Sequence, residues 1–135
     1  MTPLEVRTRI EVRWRDLDML GHLNQSVYHE LLEEGRGAFF QAVEMLTATV
    51  LARVELDYKL EVRREHSPVE VVVRLARFGR SSVTLAHEIV RADGEVASAG
   101  SSVHVAWDTA ARRSRPLTAE ERERLDAALG AATAG

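Results

Sequence analysis

Trp14-Arg15-Asp16-Leu17-Asp18-Met19-Leu20-Gly21-His22-Leu23-Asn24-Gln25-Ser26-Val27-Tyr28 separates two kinds of periodicity. Upstream, Leu4, Val6, Thr8, Ile10, Val12 and Trp14 alternate with charged residues, the period of two that marks a half-buried strand. Downstream, Val27, Tyr28, Leu31, Leu32, Gly35, Phe39, Val43 and Leu46 recur every three or four residues, so an amphipathic helix is expected from Asn24 to about Leu46. Asn24 suits its N-cap, because the side chain can accept from the N–H groups that a helix start leaves unbonded. Asp16 to Leu23 is then a loop.

That loop packs two carboxylates, a glycine, a histidine and an asparagine against a helix tip that carries free donors and a partial positive charge. A carboxylate beside such a tip can attack, or activate water against, a carbonyl that the donors polarise. Asp18 is the candidate for that part, and Asp16 reads as a turn-capping aspartate. Gly21 permits a tight turn and close approach of a ligand. His22 either orients a substrate or holds Asp18, or else packs on the sheet with a bond to the backbone. His29 and Glu33 share a helix face, but no third ligand has suitable spacing, so no metal site is expected.

Further along, Val50 to Val62, Val69 to Leu75, Val83 to Ile89 and Val96 to about Trp107 read as four more strands joined by short connections. Asp93-Gly94 suits a two-residue type I′ turn, which would set His87 opposite Gly100 and Val83 opposite His104. Thr118-Ala119-Glu120-Glu121 reads as a capping box before a short helix, with a frayed tail after Gly130. Short turns make antiparallel neighbours. The simplest burial solution is an α+β fold: a five-stranded antiparallel sheet wrapped around one long central helix, with a short C-terminal helix. The open edge of such a sheet is suited to a second copy of the chain.

The 135 residues, 45% apolar and 29% charged, fit one domain spanning residues 1–135. A net charge of -3 argues against nucleic acid as a partner. The absence of cysteine excludes disulfides, thiolate metal sites and thiol nucleophiles. No run is long and apolar enough to span a membrane and no signal segment is visible, so a cytoplasmic location is the expectation. Lys59 is the only lysine; most of the arginine excess reads as codon bias. Arg77, Arg80, Ser81 and Ser82, and separately Arg112, Arg113 and Arg115, are candidates for phosphate contacts.

Asp18-Met19-Leu20-Gly21-His22-Leu23-Asn24-Gln25-Ser26-Val27-Tyr28, followed by Leu56-Asp57-Tyr58, Arg77-Phe78-Gly79-Arg80-Ser81-Ser82 and Asp93-Gly94, resembles the hotdog-fold acyl-CoA thioesterases of the 4-hydroxybenzoyl-CoA thioesterase-like family. The resemblance runs to about Pro116. It implies hydrolysis of acyl-CoA thioesters, with Asp18 as base or nucleophile and the backbone N–H of Gln25 polarising the thioester carbonyl. Gly21, His22 and Asn24 are candidates for substrate contact beside them, and Arg77, Arg80, Ser81 and Ser82 for the phosphates or pantetheine arm of coenzyme A. The resemblance also implies a homodimer, sometimes paired into a homotetramer. No metal or other cofactor is expected, coenzyme A being part of the substrate. Gln25 stands where a second asparagine is commoner, which a backbone donor tolerates. The acyl chain is expected in an apolar tunnel along the long helix. The other reading is a non-catalytic acyl-CoA or acyl-carrier-protein binding module.

Overall fold

A computed structural model of the chain describes residues 2–130. Five antiparallel strands form one path: β1 (Glu5–Ile10), β2 (Thr49–Tyr58), β3 (Val69–Phe78), β4 (Ser82–Val90) and β5 (Val96–Asp108), in the order β1-β3-β4-β5-β2. A two-residue strand, β6 (Arg113–Ser114), pairs with β5 and makes a sixth. The long helix α1 (Gln25–Ala42) lies against the sheet, and α2 (Ala119–Leu129) packs beside it. This is the expected wrapped sheet, and the resemblance to the hotdog fold holds. The tail beyond Gly130 lies outside the described residues.

Strand parity explains the burial. In β3, Val69, Val71, Val73 and Leu75 are buried toward α1, and in β4, Val83, Leu85, His87 and Ile89. They enclose Leu31, Leu32, Phe39 and Phe40 of the helix. The capping box at α2 is present: Thr118 accepts from the Glu121 N–H, and Glu121 from the Thr118 N–H.

Four sequence expectations need correction, the first being the second strand, which ends at Tyr58 and not at Val62. The helix stops at Ala42, short of Leu46, because Glu44 turns left-handed (φ 57°) and the Met45 N–H reaches back to the Phe40 carbonyl at 2.8 Å. This Schellman-type stop buries Met45, which a continuing helix would not. The first strand ends at Ile10, short of Trp14. Asp16 accepts from the Arg13 N–H at 2.8 Å and coils Trp14–Asp16 into a 3₁₀ turn, leaving Trp14 79% exposed.

The β4–β5 turn is also not type I′. Gly94 donates to the Arg91 carbonyl and is left-handed (φ 87°), whereas Asp93 is not. That is a type I turn closed by a glycine, with one more loop residue than expected. A register shift between Ile89 and Val90 absorbs the extra residue, so His87 still faces Gly100 and Val83 still faces His104.

Candidate active site

The loop from Leu17 to Leu23 is cross-tied at its base. Leu17 and Leu23 form a bridge, the Leu23 N–H donates to the Val62 carbonyl at 2.6 Å, and the Asn24 N–H to the Asp16 carbonyl at 2.8 Å. Asp16 is buried, and its two oxygens take the Arg13 N–H and guanidinium. Burial alone would raise its pKa, but these bonds and the Arg13 charge outweigh it and hold the carboxyl below its ordinary value. Asp16 is therefore a structural residue, in line with the sequence reading.

Asp18 sits at the exposed tip. Its Oδ1 accepts from the N–H groups of Leu20 at 2.9 Å and His22 at 3.1 Å. The turn closes with the Gly21 N–H on the Asp18 carbonyl, and Gly21 takes φ 78°, a conformation costly for side chains other than glycine. Oδ2 has no hydrogen-bond partner among the described residues. One oxygen fixes the carboxylate and the other remains available.

At the helix start, the Asn24 side chain accepts from the Ser26 N–H at 3.0 Å, and the Val27 N–H bonds the Asn24 carbonyl. The Gln25 N–H finds no acceptor among the described residues. Asp18, His22, Asn24 and Gln25 line one cavity of about 380 Å³, with Tyr28, Tyr58, Lys59 and Glu61 opposite. Asp18 also borders a second concavity of about 630 Å³ beside the exposed Trp14 and Met19.

The His22 ring neither holds Asp18 nor takes a backbone bond on the sheet, and it lines the cavity. Its Nε2 lies 2.7 Å from Glu61 Oε1, tying the loop to the segment after β2, and only its backbone N–H holds Asp18. Glu33 and Glu34 lie in a different groove, with Glu11 and Arg13. Arg77, Arg80, Ser81 and Ser82 sit at the β3–β4 turn, the far end of β3 from the strand start that pairs with Ile10. They do not line either cavity at Asp18. Arg115 is committed elsewhere: it clamps Glu121 at 2.8 and 2.9 Å and reaches the Trp107 carbonyl. Among the described residues, no three His, Asp or Glu side chains are grouped as metal ligands.

The wall that β5 presents to α1 is small and polar. Ser98, Gly100, Ser102, His104 and Ala106 alternate onto that face; the His104 ring meets Phe40 of α1 with centroids 4.8 Å apart. Arg36 from the helix and His87 from β4 are buried with them. Neither histidine nor Arg36 stands out as a functional candidate from sequence alone. The signal was present in strand parity, since both histidines fall on the core-facing positions of their strands.

The sequence profile of the thioesterase-like superfamily matches residues 12–128. The chain belongs to that superfamily. A thioesterase of Thermus thermophilus, solved with coenzyme A and zinc, is 37% identical, with 93% of this chain and 95% of that one covered at a TM-score of 0.84. A predicted thioesterase of Bacillus stearothermophilus is 26% identical over 93% of this chain and 97% of its own, at a TM-score of 0.86. The uncharacterized protein YsmA of Bacillus subtilis is 29% identical over 122 residues, 87% of this chain and 82% of its own. No helix of the described residues of this superfamily member is long and apolar enough to cross a membrane.

Proposed function

We propose that this chain hydrolyses acyl-CoA thioesters, with Asp18 as the catalytic carboxylate and the Gln25 N–H as the oxyanion donor. The observation that carries the reading is the pairing of an uncommitted carboxylate oxygen with an uncommitted helix-tip donor on one cavity. A thioester carbonyl oxygen set on the Gln25 N–H turns its carbon toward that cavity. Asp18 Oδ2 then either takes a proton from an attacking water or attacks the carbon itself to form an anhydride that water opens. The donor stabilises the developing oxyanion, by about 3 kcal/mol where such sites have been dissected. The thiolate leaves without a dedicated acid, since a free thiol has a pKa of about 8.5.

The coenzyme A complex of the Thermus relative supports the ligand class. Lys59, on the cavity rim, suits a phosphate of the coenzyme. The edge strand β2 borders the same cavity, so a second protomer joined there would complete its wall and could bring the Arg77–Ser82 turn toward the coenzyme.

One observation favours the binding-module reading: Asp18 also caps its own turn, so its presence alone does not require catalysis. Asp18→Asn separates the two. Asparagine keeps the Oδ1 acceptor and the turn but loses the anionic oxygen. Thiol release from an acyl-CoA panel, read with a thiol-reactive dye, is expected to disappear in D18N while acyl-CoA binding persists. Binding without release by the unaltered protein, for every thioester, would establish the module instead.

A further inference from the structure

A polar lane runs through the interior between α1 and β5. At one end Tyr28 of α1 meets Tyr58 edge-on, with ring centroids 4.9 Å apart; Tyr58 is paired in register with Ser98. At the other end Phe40 meets His104. Twelve helix residues from Tyr28 to Phe40 rise about 18 Å. Six strand residues from Ser98 to His104 rise about 20 Å, so helix and strand keep step. Arg36 shares the helix face of Tyr28 and Phe40 between these ends, and His87 lies opposite Gly100, which adds no side chain.

Three groups in this lane, Arg36, His87 and Ser98, lack side-chain partners among the described residues. Arg36 is 6% exposed and makes no hydrogen bond or ion pair with any described residue; its Nη1 is fully enclosed. Both ring nitrogens of His87 and the Ser98 hydroxyl are enclosed without a hydrogen bond. The Ser101 and His87 carbonyls approach the His87 ring without reaching hydrogen-bond geometry. Ser102 and His104 bond each other at 2.9 Å. The Glu33 carboxylate influences Arg36 only from the exposed face. A buried cation left unpaired is among the costlier arrangements in a fold, and apolar replacement is then often neutral or stabilising. Arg36 is thus an unpaired cation, and the uncharged His87 ring and Ser98 hydroxyl on the facing strands are unpaired polar groups that an anion docked on Arg36 can engage.

Tyr28 and Tyr58 line the candidate active-site cavity, and their edge-on contact stands between it and this row of buried polar groups. Arg36 lies eleven residues beyond Gln25, about 16 Å along the helix axis, and a helical side chain leans back toward the N-terminus. We infer, resting on the thioesterase reading above, that the acyl group ends in a carboxylate that passes the Tyr28–Tyr58 contact and docks on Arg36, His87 and Ser98. The substrate class is thus the coenzyme A monothioester of a medium-length dicarboxylic acid.

The test compares thiol release from suberoyl-CoA with octanoyl-CoA, and from adipoyl-CoA with hexanoyl-CoA. The unaltered protein is expected to favour the carboxylate-ended member of a pair at least tenfold in kcat/KM. Arg36→Met is expected to lower that ratio at least tenfold. Equal or faster turnover of the methyl-ended member by the unaltered protein overturns the inference. Should R36M fail to fold, Ser98→Ala, which removes one hydroxyl, is expected to lower the same ratio several-fold, and an unchanged ratio overturns it. Thermal unfolding with free suberate or octanoate reads the lane without turnover. Suberate is expected to raise the Tm of the unaltered protein more than octanoate does, and no difference between them counts against the lane. If no thioester is hydrolysed yet suberate alone protects, the hydrolytic reading fails and the lane stands.

Discussion

Gly35 brings α1 so close to β3 that a Cβ built on it would stand 2.3 Å from Val71 Cγ1 and 3.2 Å from Val73 Cγ2. Gly37, one turn face away, would meet only Leu46 Cδ1 at 4.0 Å. The two glycines weaken the helix alike but only one is needed. Gly35→Ala is expected to lower stability by about 1–3 kcal/mol through overpacking. Gly37→Ala is expected to raise it by up to ~1 kcal/mol through helix propensity. Thermal unfolding of the two variants decides; opposite signs of the Tm shift are the prediction.

Asp18→Asn should leave the fold intact, because its amide oxygen can still accept from Leu20 and His22. Asp18→Ala removes that acceptor and should loosen the turn as well. Both are expected to lower kcat by ~100-fold or more. Only D18A is expected to speed proteolysis in the loop. Activity retained in D18N would remove Asp18 from the chemistry.

The reach of the sequence was uneven for physical reasons. The period of two located β1, β3, β4 and β5 because alternate residues face a single core, as Val69, Val71 and Val73 do. Asn24 and the Thr118–Glu121 box announced their helices because capping is local chemistry. The end of α1 was hidden because Glu44 takes a left-handed turn usually given to glycine, under the pull of Met45 burial. The Asp18 loop was legible as a dense polar motif, whereas the tie between His22 and Glu61 joins residues far apart in sequence. Arg36, His87 and Ser98 were illegible as a group, since three elements must be folded before they meet.

Burial, with Arg36 and His87 nearby, pushes the His104 ring down to about 4. An unfolded histidine titrates near 6.5. Between these values the unfolded chain binds the proton and the folded one does not, so stability rises with pH across that window. His104 stability is complete above about pH 6.5 and is lost as pH falls toward 4, on the order of 3 kcal/mol in all. Burial pushes His87 in the same direction. Urea unfolding at pH 7.5 and pH 5 should show the loss, and His104→Gln should flatten it. An unchanged midpoint in the unaltered protein would contradict the buried neutral ring.

Asp16 acts in a lower window. Its folded pKa lies below the ordinary carboxylate value, so its contribution is present above about pH 3.9 and disappears as pH falls through the folded value. Asp16→Asn keeps the size but loses the charge-assisted bonds to Arg13. The variant is expected to unfold at lower temperature at pH 7. Its deficit relative to the unaltered protein should shrink in acid, once the pH has fallen through the depressed folded value and the native carboxylate is itself protonated.

The sheet has two free edges, and they differ in chemistry. β1 offers Glu5, Arg7 and Arg9, with Arg7 paired to Glu5 and Glu70. β2 carries Arg53, Glu55 and Asp57, yet it also exposes Val50, Leu51 and Tyr58, with Leu60 just beyond, all more than a third exposed, whereas β1 exposes no large apolar side chain to that extent. Charged side chains protect an edge from pairing and apolar ones invite it. A second copy of the chain is therefore expected along β2, where Tyr58, Lys59 and Leu60 also line the active-site cavity. Light scattering should give twice the 15.1 kDa chain mass. Leu51→Lys, at an exposed edge position far from Asp18 in sequence, should raise the dissociation constant of the pair by tenfold or more and make thiol release depend on protein concentration. A fully active monomer at every concentration would show that one copy builds the whole site.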